Sequence, residues 1–193
     1  MIDISFNVYN DTPKGRDPDS SSPTLRRYHQ ELWSKPLPIG GVFTLDDKTP
    51  KVLHHQSSLG EFFLSSDSIG HTYRNLKRLS HIIDQIPQVE LQSFLDVCST
   101  IGGYVIFPSQ KIDNKMTING ARGLDLSIQD RFDLTLECIR RFYQNQSSPL
   151  IESLDRYSRF FDLFKDFQGY IEFFLLEDLV SKDYDTINFF LPF

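Results

Sequence analysis

Cysteine is scarce in this chain. Cys98 and Cys138 are the only two in 193 residues, they form no CxxC pair, and they share no metal-ligand spacing with histidine. That excludes a disulfide framework and gives no support to a structural zinc. Long apolar runs are also missing, and none approaches the ~20 residues of a membrane-spanning helix. The first residues, Met1-Ile2-Asp3-Ile4-Ser5-Phe6, carry neither a basic stretch nor an apolar core, so no signal peptide is expected there and a cytoplasmic location is. The phosphate-cradling glycine motifs, the HExxH zincin motif and the GxSxG nucleophile turn are all absent, which argues against the common nucleotide hydrolases, zincins and serine hydrolases. No metal site and no particular cofactor is implied.

Aromatic residues are plentiful. They make up 13% of the chain, with 17 Phe against 2 Met and 1 Trp. Such a core rests on large flat rings, each burying a large area. Phe160, Phe161, Phe164 and Phe167 stand near helical spacing and read as core. The net charge of −6 is uneven. Residues 144–193 hold 9 acids and 4 bases; subtraction from 26 and 20 leaves 17 and 16 in residues 1–143. Bulk charge therefore does not draw the molecule to polyphosphate, although a local patch can.

The pattern predicts one α+β domain over residues 1–193, with a small, largely antiparallel sheet packed by about five helices. Residues 2–9 alternate as a half-buried strand, and residues 10–23 form an exposed loop. Ser22 with Pro23 starts a helix that ends near Trp33. Short strands are expected at 42–45, 51–54 and 62–64, and helices at 71–86 and 88–98. A hairpin should pair 104–107 with 115–119. Further helices follow at about 128–143, 150–166 and 170–180, then a short strand or docked tail at 186–191.

Four constellations could carry chemistry. In the first, Asn119-Gly120-Ala121-Arg122-Gly123 reads as a glycine-bracketed loop that delivers Arg122 to a helix capped by Ser127. Arg122 and Asn119 are then ligand candidates, and Asp130, which shares one side of the 128–143 helix with Asp133, Glu137 and Arg141, is a candidate general base. Alternatively Arg122 bridges Asp125, Asp130 or Asp133. In the second, Arg26, His29 and Trp33 share one helical face and could hold a base or nucleotide, unless Trp33 is a core anchor. In the third, His54-His55 point apart in a strand, so one of them could pair with Glu61 or Asp113. In the fourth, His71, Arg74, Lys77, Arg78 and His81 fall on one side of the 71–86 helix, a stripe suited to nucleic-acid backbone or to ordinary solvation.

Several phrases together resemble an uncharacterised family of bacterial cytoplasmic proteins. They are Ser22-Pro23-Thr24-Leu25-Arg26-Arg27-Tyr28-His29, Leu32-Trp33-Ser34-Lys35-Pro36, Gly60-Glu61-Phe62-Phe63-Leu64, Ile101-Gly102-Gly103, Met116 to Gly123, and Asp130 to Arg141. The resemblance spans nearly the whole chain and implies a bacterial source and a single-domain unit. It brings no activity with it. Two functions are therefore carried forward. One is an enzyme or binding protein for a phosphate-bearing small molecule or nucleotide, with Arg122, Arg26, His29 and a histidine of the 54–55 pair. The other is a non-catalytic interaction protein of defence or toxin–antitoxin type, binding protein or nucleic acid through the 71–86 face.

Overall fold

Ser22 and Pro23 act as the sequence predicts. The Ser22 hydroxyl accepts from Leu25 N–H, and Pro23 fills the first helical position, where no amide donor is needed. In the computed structural model, which describes residues 3–49, 52–69 and 80–189, this helix, α2, spans Pro23–Trp33. A single turn, α1, precedes it at Pro18–Ser21.

Four strands form one antiparallel sheet in the order β1–β2–β3–β4: Asp46–Thr49, Val52–Ser57, Gly60–Ser68 and Tyr104–Pro108. The α+β class is as expected, and the strand partners are not. Tyr104–Pro108 pairs with β3, with Ser66 opposite Ile106 and Asp67 opposite Val105. The predicted hairpin partner at 115–119 instead runs into helix α5, Ile118–Leu124, whose start is capped by the Thr117 hydroxyl accepting from Gly120 N–H. Asp113 and Asn114 do form a turn, both at positive φ. The N-terminal alternation makes no strand either. Its residues contribute one bridge, Asn7 to Thr100, and a 3-10 turn at Val8–Asn10. Val8 is buried and Phe6 partly so, packed with Leu25, Ile101 and Tyr104, while Ile4 lies 68% exposed, so only the end of the alternation meets a core.

Strand side chains alternate between faces. The register puts Leu53, His55, Phe62, Leu64, Ser66 and Ile106 on one face of the sheet. His54, Glu61, Phe63, Asp67, Val105 and Phe107 lie on the other. The first face is covered by α2 and by the aromatic C-terminal third. Phe43 packs on His55 with ring centroids 4.2 Å apart, and Phe160 meets Phe62 edge-on at 6.0 Å.

Helices α3, Ser80–Ile83, and α4, Gln88–Cys98, fall between β3 and β4. After α5 come α6 (Phe132–Tyr143), α7 (Ile151–Arg156), α8 (Ser158–Asp162) and α9 (Phe167–Phe174). The expected helix over 150–166 is broken at Tyr157, whose φ of −109° and ψ of 22° interrupt the ladder. α9 stops at Phe174 because Leu175 takes a left-handed conformation, φ 56°. Phe160, Phe161, Phe164, Tyr170, Phe173 and Phe174 are buried and meet one another through tilted and edge-to-face contacts. Burying each such ring contributes roughly 1.5–3 kcal/mol, so this cluster dominates the stability. Among the described residues no helix is long and apolar enough to cross a membrane.

Candidate functional site

His29 and Trp33 are one turn apart on α2, and their ring nitrogens are bonded. Trp33 Nε1–H donates to His29 Nδ1 at 3.0 Å, and His29 Nε2 lies 2.9 Å from the Ser66 hydroxyl of β3. An indole N–H can only donate, which fixes the tautomer: Nδ1 accepts and Nε2–H donates to Ser66. The imidazole is fully buried, and burial, reinforced by the Arg26 charge, drives its pKa down to about 3. It is therefore a neutral tie between helix and sheet, not an acid or base working near neutrality. The Trp33 ring lies against Phe173 and Phe174, so it is unavailable to stack on a base. Arg26 is half-buried on the same helix.

Arg122 is likewise interior. It sits in α5, not in a loop, and neither Gly120 nor Gly123 has a positive φ. Its guanidinium has no solvent exposure. Nε donates to Thr135 Oγ1 at 2.9 Å, Nη1 to Asp67 Oδ2 at 2.6 Å, and Nη2 to the Asp130 carbonyl at 3.1 Å. The Phe107 ring lies 5.3 Å from its Cζ. The carboxylate it pairs with is Asp67 of β3, across the fold, and not Asp125, Asp130 or Asp133.

Asp130 contributes its backbone. Its N–H donates to the Arg122 carbonyl, and its carboxylate oxygens lie 3.2–3.3 Å from where a Cβ on Gly123 would stand. Gln129 and Asp130 both adopt left-handed conformations, at φ 51° and 59°. Ser127 caps no helix. α6 begins five residues later, and Ser127 instead binds the Asp125 carboxylate. Asn119 lies at the start of α5 with its Oδ1 buried and unpartnered among the described residues.

Several carboxylates crowd the same region. Burial raises Asp67 to about 6 against the pull of Arg122, and burial with the charges of Asp17 and Asp67 raises Asp19 to about 8. Among the described residues, no group of three or more His, Cys, Asp or Glu side chains could hold a metal ion.

The adjacent histidines do point apart. His55 is buried against Phe43 and Phe62; its Nδ1 lies 2.9 Å from the Thr44 carbonyl, and its Nε2 has no partner among the described residues. Burial lowers its pKa. His54 faces the other way, between two half-exposed carboxylates. Its Nδ1 is 3.1 Å from Asp46 Oδ1 and its Nε2 is 2.7 Å from Glu61 Oε1. Of the two partners weighed from sequence, Glu61 is the one met.

Glu61 also borders a half-open cleft of about 160 Å³. Gly60, Phe62 and Phe63 of β3 form one wall, and Pro108 and Phe160 extend the apolar floor. The opposite wall carries Arg156, the last residue of α7, and Arg159 of α8. Arg156 donates to the carbonyls of Glu152 and Met116 and to the Ser153 hydroxyl, while its Nε is buried without a partner. Neither arginine pairs with a carboxylate among the described residues. Sequence reasoning passed over both. The available signal was two of the four bases of an acidic segment standing three residues apart on helical turns.

His71, Arg74, Lys77 and Arg78 lie outside the described residues, so the stripe they would form has no structural account; His81 is described, and it is exposed. The chain belongs to the family of unknown function DUF6994, which matches residues 2–193. No curated protein and no solved structure matches it.

Proposed function

We propose that the protein binds a small phosphate-bearing molecule, and that the ligand sits in the cleft between β3 and α7–α8. The ligand class is the one the sequence suggests; the site lies away from Arg122, whose three guanidinium nitrogens each meet an acceptor inside the fold. The observation that carries it is the pair Arg156 and Arg159, two guanidiniums with no carboxylate partner among the described residues, set opposite an apolar floor. Guanidinium donors match phosphate oxygens in geometry and charge, and such pairs are stronger than neutral hydrogen bonds. An apolar cleft with a few convergent polar groups is the ordinary form of a small-molecule site.

Size narrows the ligand. A cavity of ~150 Å³ holds a benzene ring. The 160 Å³ here suits a phosphate with a few carbons. Titration calorimetry with ethyl phosphate tests the reading. Binding should weaken as salt rises and fall by about tenfold in Arg159→Gln, the loss of one charge-assisted contact. Arg159 is exposed, so this variant should melt like the parent. Equal binding by the parent and Arg159→Gln, or no binding by either at low salt, would reject the site.

A further inference from the structure

Resting on that reading, we infer that the ligand is a zwitterion, a phosphomonoester that also carries an ammonium group, and that Glu61 recognises the ammonium. Glu61 stands on the β3 wall of the cleft, and Arg156 and Arg159 stand on the helical wall facing it. The cleft is thus polarised, acidic on the strand side and basic on the helix side.

The acid is not neutralised by its own partner. His54 lies between Asp46 and Glu61, with both ring nitrogens at hydrogen-bond distance from a carboxylate oxygen. One imidazole is thus shared by two carboxylates, and it cannot neutralise both. One Glu61 oxygen is taken by His54, and the other has no partner among the described residues. His54, only 2% exposed, holds the first oxygen and so fixes the direction of the second.

Charge complementarity then points to the ligand. Two guanidiniums match the nearly two negative charges of a phosphomonoester near neutrality, and the Glu61 oxygen left free by His54 suits one ammonium. A phosphodiester headgroup, with one negative charge, leaves a guanidinium unmatched, which favours a monoester.

The test compares phosphoethanolamine with ethyl phosphate, which lacks the amine, by calorimetry on the full chain at low salt. Phosphoethanolamine should bind about five- to tenfold more tightly, as expected for one partly exposed charged contact. Glu61→Gln should abolish that preference and leave ethyl phosphate binding in place; the Gln amide oxygen can still accept from His54, which preserves the fold. Arg159→Gln should weaken both ligands alike. Equal affinities in the parent, or a preference that survives Glu61→Gln, would overturn this inference while the phosphate site stands. Failure of both ligands to bind would remove the site itself. Binding to vesicles containing phosphatidylethanolamine, with no binding of phosphoethanolamine, would overturn the assignment to a soluble monoester.

Discussion

Replacing Arg122 by alanine is the sharpest test of how this fold is held. The guanidinium is fully buried and joins three segments: β3 through Asp67, α6 through Thr135, and the 125–131 turn through the Asp130 carbonyl. Removing one partner of a buried ion pair costs about 3–5 kcal/mol, because the other charge is left uncompensated. Asp67 is 24% exposed, and its carboxyl already tends toward the protonated form, so the lower end applies to that term. The contacts to Thr135 and Asp130 add about 1 kcal/mol each, less than additively. The expected loss is about 4 kcal/mol. At roughly 2–4 °C per kcal/mol for a chain of this size, the melting temperature should drop by about 8–16 °C. Arg122→Lys keeps the charge and cannot reach three acceptors, so it should fall between. The double variant Arg122→Met with Asp67→Leu removes both charges and should recover most of the loss. Thermal melts followed by circular dichroism read all three. An Arg122→Ala protein that melts within 2 °C of the parent would refute the reasoning, since no interior tie of this kind can be lost silently.

Three further expectations concern other ties. Gly169→Ala sets helix propensity against space. Alanine gains about 1 kcal/mol in a helix, but its Cβ would lie 2.2 Å from the Phe164 carbonyl oxygen, so a net loss of about 2 kcal/mol is expected, seen as a lower urea midpoint; a higher midpoint would contradict the packing. His29→Ala leaves the Trp33 N–H and the Ser66 hydroxyl unpartnered beside a cavity and should cost about 3 kcal/mol by the same assay. Asp19 tests the linkage to pH. Its folded pKa of about 8 lies above its unfolded value, so its protonation stabilises the fold at low pH, and that contribution is lost as pH rises through about 8. Asp19→Asn should therefore flatten the decline in melting temperature between pH 6.5 and 8, and an unchanged slope would show that Asp19 is not the group responsible.

Legibility in the sequence followed how local the determinant was. α2 needed only Ser22, Pro23 and an apolar stripe, and α4 needed only Pro87 and the run after it; both lie where the pattern puts them. The aromatic core was equally plain, since Phe160, Phe161 and Phe164 are completely buried. Strand pairing was less legible, because the partner of Tyr104–Pro108 is β3, more than thirty residues upstream, and register is a property of two segments. A nearer segment with strand-like residues, 115–119, was the natural guess, and the Thr117 cap won it for a helix. Ser127, expected to cap a helix, instead lies in a turn whose amides donate to the Asp125 carboxylate.

Arg122 shows why a candidate site is harder to read than a fold. Glycine permits positive φ, and it also permits close approach, and the sequence does not separate the two. The glycines around Arg122 suggested an open loop. In the structure Gly123 serves the second purpose, leaving room for the Asp130 carboxylate beside a helix. The strain went to Gln129 and Asp130, where no glycine marks it. The same inversion runs through the other candidates. Arg122, His29 and His55 carry the residue types that chemistry uses, yet each is buried among fixed partners and serves as a joint. Arg156 and Arg159 belong to an acidic segment whose Phe pattern reads as core alone, and they became candidates only because α7 breaks at Tyr157 and brings them opposite Glu61. Residue type proposes chemistry; what remains exposed and uncompensated after folding decides where it can occur, and that depends on long-range partners a single sequence does not display.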